Sequence, residues 1–280
     1  MARFSASLIT ALLAIPGPLF AEGPQPGSRP IVVQGAMTLE TERLASRLDG
    51  VRIEKVGGWT FWRGTLDGYP VIVSKTLKGV ANAAAATVIA VERYQPIAII
   101  NQGTAGGHEP SLKLYDIVLG TSAVSLAAFK SPYRPRGGGS NPLEWKPLDL
   151  MASEGSAGND PREHTVARFP GDAGLLAAAR SVKQTYTSGR IAEGVIGSSD
   201  VWNDELDLIA KYHDNYGTAV EEMETAAAAQ IAGLLGVRFV GIRIVSDNIT
   251  NGEPYDRKTG EACQDFVYQV VKAFIPTLKR

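Results

Sequence analysis

The sequence predicts a single α/β domain of three layers, α/β/α, around a central mixed, mostly parallel and twisted sheet, and three observations carry that prediction. Two short apolar runs, 97–100 and 239–245 (interrupted only by Arg243), read as strands buried on both faces. Each follows a helical, alanine-rich segment, 80–94 and 225–235, so helices and strands alternate along the chain. The segments 59–63 and 69–74, joined through Asp67-Gly68, a common hairpin dipeptide, supply an antiparallel part.

Taken in order, residues 1–21 carry an early charge at Arg3, an apolar run from Leu8 to Ile15 and a Pro16-Gly17-Pro18 break, the order of a secretory signal peptide with cleavage after Ala21. The run is too short to span a bilayer, and its prolines oppose a buried helix. A flexible leader, 22–30, precedes a domain that occupies 31–280. Residues 31–37 read as a buried strand entering a turn, and Thr38 is placed to cap a helix whose spacing runs through Leu39, Leu44 and Leu48. Pro96 stops the helix at 80–94, the strand at 97–100 follows, and a glycine-rich loop opens at once in Asn101-Gln102-Gly103-Thr104-Ala105-Gly106-Gly107. Residues 130–168, rich in Gly, Pro, Ser and Asn, read as a long surface insertion.

Composition removes several functions. With 28 Lys plus Arg against 29 Asp plus Glu, the net charge of −1 offers no field for nucleic acid or, once the leader is removed, for an anionic membrane. Cys263 is the only cysteine, which excludes an internal disulfide and a cysteine-based metal cluster. Three histidines, at 108, 164 and 213, form no close His-x-x-x-His pair, so no metal and no cofactor is expected.

Glu40, Glu224 and Asp247 stand where buried strands end or helices begin, and open α/β sheets place ligands at the carboxyl ends of their strands. Any one of them alone reads equally as a helix cap or an ion-pair member. Their joint occurrence with the surrounding motifs is more specific. Gly35-Ala36-Met37 with Glu40 three residues later, then Asn101 to Gly107, then Val220-Glu221-Glu222-Met223-Glu224-Thr225-Ala226, then Arg243-Ile244-Val245-Ser246-Asp247, resembles the 5′-methylthioadenosine/S-adenosylhomocysteine nucleosidases, from about residue 31 to the C-terminus apart from the insertion.

That resemblance implies hydrolysis of the bond between a purine and its ribose. It implies that Asp247 protonates purine N7, that Glu40 activates the attacking water with Arg243 and Thr104 close by, that Glu224 holds the ribose hydroxyls, and that Met37 and Met223 pack around the sugar. Gly106, Glu222 and Ser246 fall at the substrate by the same comparison. A small-molecule nucleoside is then the partner, and a homo-oligomer, a dimer, is implied. The chemistry suits two carboxyls in opposite protonation states: one held protonated by burial to release the base, one ionised to accept a proton from water.

Two departures from the family bear on the substrate. In Gly197-Ser198-Ser199-Asp200-Val201-Trp202-Asn203, Val201 occupies the position of the usual base-stacking aromatic, and Trp202, one residue later, is either the stacking platform or a core residue. Tyr115 replaces a usual glycine, and together with the insertion it is expected to reshape the pocket over the 5′ end. Related phosphorylases use phosphate in place of water, but Asn101 stands where the hexameric bacterial type has an arginine, and a dianion needs cationic partners. A phosphate-dependent phosphorylase and a non-catalytic nucleoside-binding protein are the alternatives to a hydrolase.

Overall fold

In the computed structural model, which describes residues 29–151 and 165–278, strand β1 (Ile31–Gly35) is buried throughout. The leader at 1–21 and the middle of the insertion lie outside the described residues. Ile31 and Val33 pack into one core and Val32 into another, the alternation required of a strand with apolar layers on both faces.

The helical pattern from Thr38 is cut short. Thr38–Glu40 makes a single 3-10 turn, with Met37 and not Thr38 at its N-cap, and helix α1 (Glu42–Ala45) is one turn long before strand β2 (Asp49–Val56) begins. The reason is a diverted hydrogen-bond ladder: the Glu40 carbonyl accepts from the Gln102 side chain, and Leu44 N donates to Gln264 Oε1 at 2.9 Å. Tertiary partners thus fix Glu40 at the cost of helix continuation. β2 itself has no apolar signature because it is an edge strand exposed along most of its length.

Strands β3 (Trp59–Leu66) and β4 (Tyr69–Lys75) form the expected hairpin, with Asp67 at φ 50° and Gly68 at φ 76°, the left-handed pair of a type I′ turn. Helix α2 (Val80–Tyr94) leads to strand β5 (Ala98–Gly107). Next come β6 (Ile117–Ser125), the short strands β7 (Phe129–Lys130), β8 (Lys146–Pro147) and β9 (Arg168–Pro170), helix α3 (Ala173–Ser181), β10 (Ile191–Ser198), helix α4 (Leu206–Tyr216), β11 (Thr218–Glu222), helix α5 (Thr225–Leu234), β12 (Arg238–Asp247) and helix α6 (Thr259–Phe274).

The sheet order is β11-β10-β6-β12-β5-β1-β4-β3-β2 with both parallel and antiparallel pairs, and α1, α3 and α6 cover one face while α2 and α5 cover the other. The mixed α/β/α architecture is the predicted one. The sequence did not reveal that β11 also pairs antiparallel with the end of β5, so that β5, β12, β6, β10 and β11 curl into a closed ring. That closure brings together the C-terminal ends of β5, β11 and β12, where the candidate residues lie.

The described part of the insertion is not structureless. β7 and β8 pair antiparallel, and Lys211 of α4 holds the segment by donating to the carbonyls of Pro142 at 2.9 Å and Trp145 at 2.8 Å. Tyr115 sits at φ 70°, a conformation that costs a side-chain-bearing residue roughly 1 kcal/mol, and its hydroxyl donates to Asp256 at 2.9 Å. It does not line the reaction cavity described below, which removes it as a direct wall of the 5′ end.

Candidate active site

The turn after β1 aims Glu40 back across the sheet, and the carboxylate is buried at 3% exposure. Its Oε2 accepts from Ala36 N at 2.9 Å and Met37 N at 3.1 Å, and its Oε1 from Thr104 N at 2.8 Å and Thr104 Oγ1 at 2.9 Å. Every partner is a donor, so the group is built as an acceptor.

Residues 101–107 are not a loop. They continue β5, paired with β12 as far as Gly106 and with β11 at Gly106 and Gly107, and their glycines serve side chains from elsewhere. A Cβ at Gly103 would stand 2.6 Å from Glu40 Oε1 and 2.9 Å from Arg243 Nη1; one at Gly106 would stand 3.2 Å from Asp247 Oδ2. The sequence pattern was sound, but its physical purpose is space for carboxylates. Gly103→Ala is therefore expected to overpack the site at a cost of about 1–3 kcal/mol. A thermal melt should show a loss of several degrees, and an unchanged Tm would contradict this account of the glycine.

The end of β11 delivers a second acidic group. Glu222 accepts from Glu224 N at 3.0 Å and from Thr225 N at 3.0–3.1 Å, capping the start of α5, and its carboxylate also meets the Ser198 hydroxyl and Arg243. Its oxygens are thus occupied internally, although the residue lines the cavity. Glu224 is held on one side only: Oε1 accepts from Gly79 N at 2.9 Å, while Oε2 lies 3.9 Å from Arg243. Burial, then the nearby Glu222 charge, raises the Glu224 pKa, with Arg243 opposing both.

Arg243 is 1% exposed and lies behind the cavity wall, bonded to Glu222 and Asn101. It does not itself line the cavity, and it is the buried counter-charge to Glu222 and Glu224. Asn101, likewise buried, accepts from Arg243 and donates to Gln34 Oε1 at 3.2 Å, so it faces the interior.

Asp247 ends β12, its Oδ1 accepting from Ser246 Oγ at 2.8 Å. Burial raises its pKa above the ordinary aspartate value, the Asp204 charge adds to the rise, and the Ser246 hydroxyl works against it. Asp247 and Glu40 open into the same cavity, about 260 Å³ in volume. Met37, Thr104, Gly106, Met223, Glu224 and Ser246 share that lining, and so do Val201 and Trp202. Trp202 is 65% exposed, which excludes the core reading, and its indole meets Tyr255 edge-on at 5.8 Å. Among the described residues that line it, Lys78 is the only lysine or arginine, against Glu40, Glu221, Glu222, Glu224 and Asp247.

Sequence reasoning missed Tyr255, Asn203, His108 and Glu221, all of which line the same cavity. Tyr255 lies in the turn after β12, outside every motif. His108 and Glu221 meet because β11 closes on β5, and no local pattern signals a contact between residues 113 positions apart.

Residues 30–276 match the family model described as the phosphorylase superfamily. A 5′-methylthioadenosine/S-adenosylhomocysteine nucleosidase from Bacillus cereus (strain G9842) is 32% identical over 218 residues, 78% of this chain and 85% of that protein, and one from Psychromonas ingrahamii is 31% identical over the same length. Among solved structures, the corresponding nucleosidase from Neisseria meningitidis, in complex with methylthio-immucillin-A, superposes with a TM-score of 0.70 at 27% identity and covers 87% of this chain and 99% of its own. The nucleosidase from Colwellia psychrerythraea in complex with adenine gives 0.68 at 28%, covering 90% and 96%.

Proposed function

The chain belongs to the phosphorylase superfamily, and from that premise we propose that it hydrolyses the N-glycosidic bond of a purine nucleoside of the 5′-methylthioadenosine or S-adenosylhomocysteine type, releasing free base and the ribose moiety. One observation carries the reading: Asp247, with its raised pKa, and Glu40, ringed by donors, face one cavity whose wall is acidic. As the glycosidic bond breaks, positive charge grows on the ribose and negative charge on the purine. Asp247 gives its proton to N7 and makes the base a neutral leaving group; Glu40 takes a proton from the water that attacks the anomeric carbon. Glu224, whose Oε2 faces Arg243 at 3.9 Å and accepts no hydrogen bond among the described residues, accepts from the ribose hydroxyls, and Met37 and Met223 enclose the sugar. Arg243 positions Glu222 and Glu224 from behind.

Water is favoured over phosphate by the same wall. A dianion gives up its hydration only to cationic partners. Among its described lining residues the cavity offers Lys78 alone as a cation, and Arg243, 1% exposed, lies outside that lining with its Nη2 bonded to Glu222 and Asn101. Retention of both an acid and a water activator argues against a mere nucleoside binder. Incubation with methylthioadenosine, adenosylhomocysteine, adenosine and inosine in phosphate-free buffer tests the reading: release of free base is expected, and background rates with all four would sink it.

Trp202 is read as the platform on which the base stacks, with Val201 beside it. Stacking of a base on an aromatic ring is worth about 1–3 kcal/mol, so Trp202→Ala should raise KM by roughly tenfold. Because the side chain is 65% exposed, Tm should stay unchanged; an unaltered KM would remove Trp202 from the base site. The pattern at 1–21 supports export with removal of the leader, and mass spectrometry of the exported protein should find Glu22 as the first residue. The superfamily resemblance supports a homodimer, which sedimentation would test.

A further inference from the structure

We propose that Glu221, held by His108, selects the base by accepting a hydrogen bond from an N–H group on the six-membered-ring edge of the purine, so that purines carrying such a donor are preferred to unsubstituted purine. This rests on the reading of the cavity as a purine nucleoside site. Gly106 pairs with Asp247 of β12 on one side and with Glu221 of β11 on the other. Directly paired residues project to the same face of a sheet, so two carboxylates rise on either side of a residue that has no side chain. All three line the reaction cavity.

Adjacent strands are about 4.8 Å apart, which separates the two backbones by about 10 Å. A flat purine with a hydrogen bond at each end fits that span. With N7 at Asp247, the edge that faces Glu221 is the opposite one, formed by N1, C2 and the substituents around them.

Glu221 is built for one more donor. It is 8% exposed; Oε2 lies 3.0 Å from His108 Nε2 and accepts from Asn203 Nδ2 at 3.1 Å, and Oε1 accepts from Ser199 Oγ at 2.7 Å. His108, 3% exposed, is fixed in turn by Thr218 Oγ1, 2.8 Å from Nδ1. A carboxylate has about four lone-pair sites, and three are engaged, which leaves one on Oε1 of a residue that lines the cavity. No step of the proposed reaction uses this group, since Asp247 supplies the proton and Glu40 the activated water. A buried carboxyl–imidazole pair without such a use adds little to stability, because apolar residues of similar size fill the same space without the cost of burying polar groups.

Sites that hydrogen-bond a substrate donor reject analogues lacking it by up to about 10⁴-fold, and one bond here sets an expectation of about 10²-fold. The test measures calorimetric binding of purine, adenine, hypoxanthine and guanine, together with kcat/KM for their ribosides, in the native enzyme and in the double variant His108→Leu/Glu221→Val. Removing both partners avoids a stranded buried charge. The native enzyme should bind at least one amino- or oxo-substituted base about 10²-fold more tightly than purine, and the double variant should bring that ratio to within about threefold. Comparing variants on the same compounds cancels their intrinsic reactivities. If the double variant fails to fold, Glu221→Gln, which keeps the shape and replaces one acceptor by a donor, should narrow the ratio by about tenfold. A variant that keeps the native ratio overturns the proposal. Base binding with the expected ratio but no base release from any riboside would sink the hydrolytic reading and leave Glu221 as the base selector.

Discussion

Replacing Asp247 with asparagine lowers kcat by about 10²- to 10⁴-fold, the usual worth of a positioned general acid, and leaves binding of free base within a few-fold of native. Asparagine can still meet Ser246 and donate to N7, but it has no proton to transfer. The same residue sets the alkaline side of the pH profile. Burial foremost, with the Asp204 charge behind it, lifts the Asp247 pKa, so activity is present while the group is protonated and is lost as pH rises through that elevated value. Asp204→Asn removes one of the two causes and should shift the alkaline limb to lower pH, which a kcat/KM profile would record. The folded protein also holds this proton to higher pH than the unfolded chain does, so the Asp247 contribution to stability falls as pH rises between the ordinary aspartate value and the raised one. Undiminished turnover in Asp247→Asn would remove it as the acid.

Glu40→Gln is expected to combine two losses. As the water activator it should take kcat down by about 10²- to 10⁴-fold. It should also destabilise, because the amide nitrogen must face either the Ala36 and Met37 N–H groups or the Thr104 N–H and hydroxyl. A buried donor set against a donor costs about 1–3 kcal/mol, which a melt would show as a fall of several degrees in Tm. A Glu40→Gln protein with native Tm and native kcat would contradict both roles.

Much of this site was legible in the sequence because its chemistry sits at the ends of locally coded elements. β5 and β12 announce themselves as apolar runs, Asp247 ends one of them and Glu224 stands at the start of helix α5, so linear order already pointed to one rim. Glu40 was found by its motif, but the long helix expected around it was wrong, since Gln102 and Gln264 capture the hydrogen-bond partners of that helix from more than 60 residues away. The glycines at 101–107 gave a real signal with the wrong shape, because glycine marks close approach in a strand as readily as in a loop. Arg243 was expected close to the attacking water; in the fold it is 1% exposed, outside the cavity lining and bonded to Glu222. Glu221 stood inside a motif and His108 was noted only as a histidine, but their meeting depends on ring closure by β11, and Tyr255 lies in a turn outside every motif.

In the proposed reaction, water activated by Glu40 attacks a ribose whose base has been protonated by Asp247. It is tested most directly by following methylthioadenosine cleavage with added phosphate, measuring adenine release and the sugar products by ³¹P resonance. The expected result is an adenine release rate independent of phosphate concentration and no sugar 1-phosphate signal. A rate that rises with phosphate, together with a sugar 1-phosphate resonance growing in step with free adenine, would contradict it.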